Sequence, residues 1–416
     1  MTYPDAMPER TPLFASHSTG EEVLLIPLAN LNAEDIAAWR ALAHEAIEPN
    51  PFFEPEFVLP LAVAYPQDVV QMLVVRRSNR WTACLPIVVR RSWGKLPIRV
   101  MTTWRTHYSF LGTPLVAAEG IDALVKLLNG AHRACPGLLV LEEMSADGPV
   151  ANLLSEAFSQ YKGLVIDIKR FERAAVRKRE NQSALALSTK RLSEHRRLRR
   201  GLEQKCGTLR LVDRSSDPAA VDDFLNLEAS GWKGRKGTAL ACHENDALFF
   251  REACRGLAVS GRLQILSLEG SRTVAMQCNF ISDGVVFGFK TCFDESLSRY
   301  SPGVLLMIDA LANFDKSNSP RLDSCSHPMN QFVNSLLPDR QEIMTLAIGS
   351  RDVQGFASVA LVKTTMATRS KLAKAKKGAK SIYRKLLTRL APLRPAVDSI
   401  QQRSWKIWPA RQDTSP

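Results

Sequence analysis

The segment from Leu263 to Phe314 constrains the fold more than any other part of the chain. Three apolar runs, Leu263–Leu268, Thr273–Ile281 and Val285–Cys292, are separated by Glu-Gly and Asp-Gly pairs. Such dipeptides supply the backbone conformations of tight hairpin turns, so the pattern predicts a three-stranded antiparallel meander. The hexapeptide SRYSPG then opens a helix over Val304–Phe314, with Pro302 in a first turn that has no use for its missing N–H. A short strand follows at Arg321–Ser324. Upstream lie a basic helix over Ser188–Cys206, a strand at Thr208–Val212, and helices over Asp217–Trp232 and Asn245–Ser260. The second half thus reads helix, strand, helix, helix, three antiparallel strands, helix, strand.

The first half carries a fainter version of the same theme. Val23–Leu28 reads as a strand, and Asn32 caps a helix that runs to about Glu48. Pro49, Pro51 and Pro55 break it. Gln71–Arg77 and Trp81–Ser92 pair as a hairpin across Ser-Asn, and a turn-rich stretch leads to a helix over Ile121–His132. Gly137–Glu142, Asp147–Gln160 and Gly163–Lys169 then read as strand, helix, strand. The expectation is an α/β (α+β) architecture: tandem domains, each a mixed, mostly antiparallel sheet flanked by helices. The boundaries are a flexible leader at 1–20, domains at 21–170 and 185–350, and a basic helical tail at 363–416. The chain turns polar and charged near Arg170–Ser188. With 416 residues it is long enough for two domains.

Charge is local. Of a net +13, fourteen Lys/Arg against two acids lie from Lys363 to Pro416, and thirteen Lys/Arg against four Glu lie between Lys169 and Lys205. In the tail, Leu372, Ala375, Ala379, Ile382, Leu386 and Leu390 recur at three- and four-residue steps among Lys and Arg, with Trp405 and Trp408 beyond. A basic amphipathic helix of this kind suits an anionic membrane surface, so the 370–408 segment is expected to attach peripherally. Specific DNA binding is not expected. No apolar run reaches the roughly 18–20 residues of a membrane span, and the N-terminal residues lack the apolar core of a secretory signal, which predicts a cytoplasmic location. Eight cysteines (84, 135, 206, 242, 254, 278, 292 and 325) stand singly, without CxxC spacing, and point to neither a metal site nor a disulfide framework.

The stretches FLNLEASGWKGRKGTAL, GRLQILSLEGSRTVAMQCNF and VFGFKTCFDESLSRYSPGVLLMIDAL resemble the GNAT acetyltransferase domain shared by CelD-type polysaccharide-biosynthesis proteins and their FemAB-like relatives, the BioF2-like type. The resemblance covers roughly residues 185–345; NPFFEPEFVLPLA is a weaker match to the family's N-terminal half. It implies an acyl-CoA N-acyltransferase fold that moves an acyl group from a thioester or aminoacyl donor to an amine. No permanently bound cofactor is implied. The implied partners are acyl-CoA or an acyl carrier protein as co-substrate, and an amine acceptor such as a sugar or lipid precursor of the cell envelope. The alternatives are a Fem-like transferase using aminoacyl-tRNA and a non-catalytic GNAT scaffold for polysaccharide biosynthesis.

The resemblance places the donor at the start of the Val304 helix, where Arg299, Tyr300, Ser301 and Gly303 occupy the pyrophosphate-binding turn. A helix N-terminus attracts anions through its unpaired amides and dipole. This turn has one glycine where ordinary acetyltransferases have two or more. Backbone near Phe289 and Thr291 would face the reacting carbonyl. GWKGRKGT is not a phosphate loop, because Lys236 precedes Gly237 and a helix lies before it. Instead Trp232 and Lys233 are groove candidates by resemblance. For a base, Asp323 and His327 stand four apart beyond the last strand, with Glu228 and Asp294 behind them. Trp104, His107 and Tyr108, with Arg105, form an aromatic and basic cluster suited to an acceptor pocket at the seam of the halves.

Overall fold

The computed structural model describes residues 11–16, 20–118, 120–161, 164–180, 183–185 and 187–390. The chain forms two compact units, Met1–Val359 and Ala360–Pro416.

In the first unit the chain runs β1 (Thr11–Ser16), β2 (Glu21–Pro27), α1 (Ala33–Glu45), α2 (Pro55–Ala64), β3 (Gln71–Arg77), β4 (Arg80–Arg90), β5 (Val100–Thr103), β6 (Leu115–Val116), α3 (Ile121–Ala134), β7 (Leu138–Ser145), α4 (Pro149–Tyr161) and β8 (Leu164–Arg177). It continues through α5 (Thr189–Cys206), β9 (Arg210–Asp213), α6 (Ala220–Ser230), α7 (Trp232–Arg235), α8 (Glu244–Val259), β10 (Leu263–Glu269), β11 (Thr273–Ser282), β12 (Val285–Phe293), α9 (Pro302–Lys316), β13 (Arg321–Asp323), α10 (Gln331–Leu336) and β14 (Asp339–Gly349). The predicted cap of α1 is present in full: Asn32 accepts from the Asp35 amide while the Asp35 carboxylate accepts from the Asn32 amide. The meander is β10–β11–β12, paired antiparallel throughout. Its turn at Asp283-Gly284 has φ of 44° and 71° at the two central residues, the left-handed pair such a hairpin requires.

All the strands join one mixed, mostly antiparallel sheet in the order β1-β2-β3-β4-β5-β7-β14-β8-β13-β12-β11-β10-β9, with β6 beside β4. The two halves exchange strands. β14, from the end of the second half, lies between β7 and β8 of the first and pairs antiparallel with both. β8 in turn extends past the first half to pair with β13. Residues Arg170–Arg177, in the segment that reads as polar and charged, therefore form the second half of a long strand. Its alternation hides charge at ordinary register positions, with Arg173 buried and Glu172 exposed.

The core is continuous across the exchange. Phe52 and Phe57 of the first half interlock with Phe249, Phe280, Phe287 and Phe289 of the second at centroid separations of 5.2–6.4 Å. Each ring so buried contributes about 1.5–3 kcal/mol. Pro51, Pro55 and Pro60 do not abolish helix here: Pro55 sits in the first turn of α2, and the segment docks on α8. Arg262 beside α8 is clasped by Glu54 and Glu56.

The second unit is occupied by α11 (Val353–Leu390), which begins in the first. The hydroxyls of Thr364, Thr365 and Thr368 each bond to the carbonyl four residues back. The backbone is helical over 370–390, as the spacing predicts; most of its side chains, and Trp405 and Trp408, lie outside the described residues. Among the described residues no helix is long and apolar enough to cross a membrane. All eight cysteines are free, and only Cys242 is exposed.

Candidate active site

The sheet opens where β12 leaves β13. These parallel neighbours pair only at Val286–Leu322 and Phe287–Asp323. One residue later the backbones nearly touch: a Cβ on Gly288 would lie 2.7 Å from the Ser324 carbonyl, a gap only glycine tolerates. On its other side β12 bulges against β11, since Lys290 pairs with Cys278 but Gly288 with Asn279, leaving Phe289 as the extra residue. A bulge bends and twists its strand and re-aims the side chains around it. Beyond it β12 diverges from the chain leaving β13, and a cavity of about 570 Å³ fills the wedge.

This cavity has a polar and an apolar end. Val304, Met307 and Leu311 of α9 face Val333 and Leu337 at the α10 end, making an apolar slot with Phe332 at its lip. Toward the bulge it meets Gln277, Lys290, Thr291 and Lys233. Gln277 is buried, gives its amide N–H to Asn279 at 2.8 Å, and keeps Oε1 without a partner among the described residues.

His107 and Tyr108 close the end of the slot. Their loop, between β5 and β6, is pinned from several sides. Trp104 is buried with Nε1 on Asp68 (2.9 Å), Arg105 bonds the Ser109 carbonyl and Glu143 (2.8 Å), and Asn50 bonds the Thr113 carbonyl (2.8 Å). Tyr108 stacks on Phe249 at 5.3 Å. On the far side of His107 and Tyr108 lies a second cavity of about 520 Å³, reached past Tyr65, Thr238, His243 and Asp246. His107, Tyr108 and Lys290 line both cavities and form the wall between them.

The wall is electrostatically prepared. Glu228, fully buried on α6, accepts from Lys233 Nζ (2.8 Å), Lys290 Nζ (3.4 Å) and the Leu240 amide (2.9 Å). Burial pushes its carboxyl up, but the two lysines outweigh burial and hold it below the ordinary range. One carboxylate between two lysines leaves a surplus positive charge. Burial holds the Lys290 ammonium below its usual pKa against the pull of Glu228, and its Nζ lies 5.3 Å from the centre of the Tyr108 ring. Burial and then Asp246 push the Tyr108 phenol up, so it stays protonated. Asp246 is itself buried and accepts from Tyr65 at 2.8 Å. His107 is solvent-accessible on one side, yet the protein packed around it lowers its pKa, and the imidazole is neutral at neutral pH.

Seven of the residues singled out by sequence come together on the first cavity: His107, Tyr108, Lys233, Phe289, Thr291, Ser301 and Gly303. Glu228 lies directly beneath. Arg299 and Tyr300 turn instead into an adjoining cleft with Lys205 and Arg272, the guanidinium 4.5 Å above its neighbour's ring. Asp323 is in the core, its carboxylate 2.7 Å from Arg173 and 3.0 Å from the Cys325 amide. His327 is exposed and accepts from the Met329 amide. Trp232 is exposed beneath Lys236, and Asp294 caps the turn at Glu295 while holding Arg272.

The turn at the start of α9, where the donor is expected, is sparing. Ser301 is left-handed (φ 52°), Pro302 has no N–H, and the amides of Val304 and Leu305 both return to the Ser301 carbonyl. Of the first turn only the Gly303 amide is without a partner among the described residues.

Lys290, Tyr65, His243 and Asp246 are site residues that sequence reasoning passed over. Lys290 had a legible signal, a lone charge in the apolar run VFGFKTCF. Asp246 reads from sequence as a first-turn acid of α8, and nothing local marks Tyr65.

Residues 189–323, which contain α5, the meander, the splay and α9, match the family model of the acetyltransferase (GNAT) domain. This segment of the chain is similar to that domain. FemX has the same fold, with a TM-score of 0.52 at 8% identity over 74% of this chain and 95% of that one. A conserved protein of unknown function from Bacteroides thetaiotaomicron does too, with a TM-score of 0.50 at 11% identity over 76% and 98%. The C-terminal domain of a putative lysylphosphatidylglycerol synthetase from Agrobacterium fabrum aligns at 14% identity, 80% and 96% coverage and a TM-score of 0.49. No curated protein sequence matches. In this segment β12, α9 and β13 build the splayed cavity, and the first half supplies His107 and Tyr108 to its end.

Proposed function

We propose that this chain is an N-acyltransferase in which an acyl thioester lies along α9 and an amine enters from the opposite cavity. The observation that carries the reading is the shared wall: His107, Tyr108 and Lys290 touch both cavities, so two substrates meet there and nowhere else along the slot. The unpartnered Oε1 of Gln277 supports an amide-bearing donor arm, because a buried acceptor costs about 1–3 kcal/mol until an N–H reaches it. The pantetheine of an acyl thioester carries such N–H groups.

The residues divide the chemistry. Neutral His107 takes the proton of the incoming ammonium, and the freed nitrogen attacks the thioester carbon. Lys290, backed by the surplus charge of Lys233 over Glu228, stabilises the tetrahedral oxyanion. As the C–S bond breaks, the Tyr108 hydroxyl gives its proton to the leaving thiolate and recovers one from the attacking nitrogen, which leaves a neutral amide, and the proton on His107 returns to solvent. Asp246 and Tyr65 face the second cavity and would orient an ammonium or hydroxyl of the acceptor. The acceptor is an amine of an envelope polysaccharide or lipid precursor, met at the cytoplasmic face of the membrane; the basic run from Lys363 supports that location.

The test is thiol release from acetyl and palmitoyl thioesters, with and without a panel of amino sugars and long-chain amines, and mass detection of the amide. Amine-dependent thiol release with a stoichiometric N-acyl product is expected. Absence of thiol release from every thioester would refute the reading and leave a non-catalytic scaffold.

A further inference from the structure

Resting on that reading, we infer that the acyl group is delivered by an acidic carrier protein, which docks on the exposed face of α5 and threads its pantetheine arm into the slot. One available amide, at Gly303, is a poor cradle for the pyrophosphate of a free nucleotide thioester, whose recognition would draw on several. Arg299 offers no help in the slot, since it stacks on Tyr300 in the neighbouring cleft. Binding energy for the donor must then come from elsewhere.

The neighbouring surface offers it. α5 is packed along α9, the wall of the slot: Arg199 pairs with Asp309 at 2.8 Å, and Leu202 and Cys206 share a core with Leu305 and Leu306. Its end is seated on the donor turn, where a Cβ on Gly201 would lie 2.8 Å from the Tyr300 ring. The outward face of this helix carries Lys190, Arg196, Arg200 and Lys205, all exposed and without an ion-pair partner among the described residues. Four like charges on one face of a helix packed against the wall of the slot are costly to collect and answer to a polyanionic partner. The mouth adds an apolar contact: Phe332 at the lip is 38% exposed and Met329 beside it 74%. A surface that is basic with an apolar rim fits an acidic helical carrier. The slot behind it is lined by Val304, Met307, Leu311 and Val333, which suits an alkyl and pantetheine arm and offers little to the polar terminal nucleoside of a charged RNA.

The experiment uses the full chain and the best acceptor from the panel above. It compares kcat/KM for the same acyl group on an acidic acyl carrier protein and on N-acetylcysteamine, in the native chain and in R196E/R200E/K205E. The carrier thioester is expected to be the better substrate by at least 10-fold at low salt and to lose that advantage as salt rises. The triple reversal should lower its kcat/KM by at least 10-fold while the N-acetylcysteamine rate, which also reports folding, is unchanged. The inference is overturned if the two thioesters react equally well, if the reversal leaves the carrier rate intact, or if bulk tRNA binds this face and the carrier does not. If transfer runs from N-acetylcysteamine alone, only the carrier fails; if no thioester reacts, the N-acyltransferase reading fails with it.

Discussion

Lys290 on β12 and Glu228 on α6 meet at 3.4 Å beneath the wall that divides the two cavities. Glu228 also holds Lys233, so Lys290 is the less satisfied of the two lysines and the one that lines both cavities. Lys290→Met should retain the fold, because the aliphatic stem is preserved against Tyr108. It should lower kcat by about 10²–10³-fold, the range for removing one preorganised oxyanion donor. Steady-state thiol release checks this, with Lys290→Arg recovering part of the rate.

His107 gives the pH dependence. Its pKa lies below the ordinary histidine value because of the surrounding protein. The deprotonated form is the active one, so kcat/KM should fall at acid pH, on a limb centred below about 6.5. His107→Gln should lower kcat/KM by about 10²–10⁴-fold and abolish that limb. A limb that persists unchanged in the variant would assign it to another group.

Asp323 separates a structural carboxylate from a catalytic one. It is buried against Arg173, which also donates to the Phe110 carbonyl at 2.5 Å and so ties β8, β13 and the His107 loop together. Breaking a buried pair leaves one charge uncompensated and costs about 3–5 kcal/mol. Asp323→Asn should shift the urea midpoint accordingly, while thiol release per folded molecule changes little.

His132, buried on α3, gives a second pH effect, on stability. Its pKa is pushed down to about 4, mainly by burial. Between about 6.5 and 4 the unfolded chain binds a proton here that the folded chain refuses, so stability falls as pH falls through that window. Over the full window the loss is on the order of 3 kcal/mol. Urea melts at pH 7 and pH 4.5 should diverge less in His132→Phe than in the native chain.

Much of the second half was legible because its signals are local. The Asp-Gly turn, the alternation of Thr273–Ile281 and Pro302 at a helix start each act within a few residues. The strand exchange was not. β14 and the outer part of β8 are held by each other and by β7 and β13, so neither run had to look like a strand by itself. The Asn330-capped helix α10 and the two-residue β6 were missed for brevity. At the cavity, Ser301 and Gly303 were pointed to by the family resemblance together with the helix start they form. Asp323 and His327 drew attention as a spaced acid and base, but the short strand between Pro320 and Ser324 turns the first inward to Arg173 and leaves the second on the surface. Asp246 and Tyr65 come from opposite halves, 181 residues apart, and only the folded seam unites them.

The central claim, that donor and acceptor enter by opposite cavities and meet at one wall, is tested most directly by blocking each in turn. Val304→Trp narrows the slot along α9, and Thr238→Trp narrows the cavity beside Asp246. The first should raise KM for the thioester about 10-fold or more with KM for the amine unchanged, and the second should do the reverse. If either variant raises both constants alike, or if each raises the other's, the two substrates do not use these cavities as described.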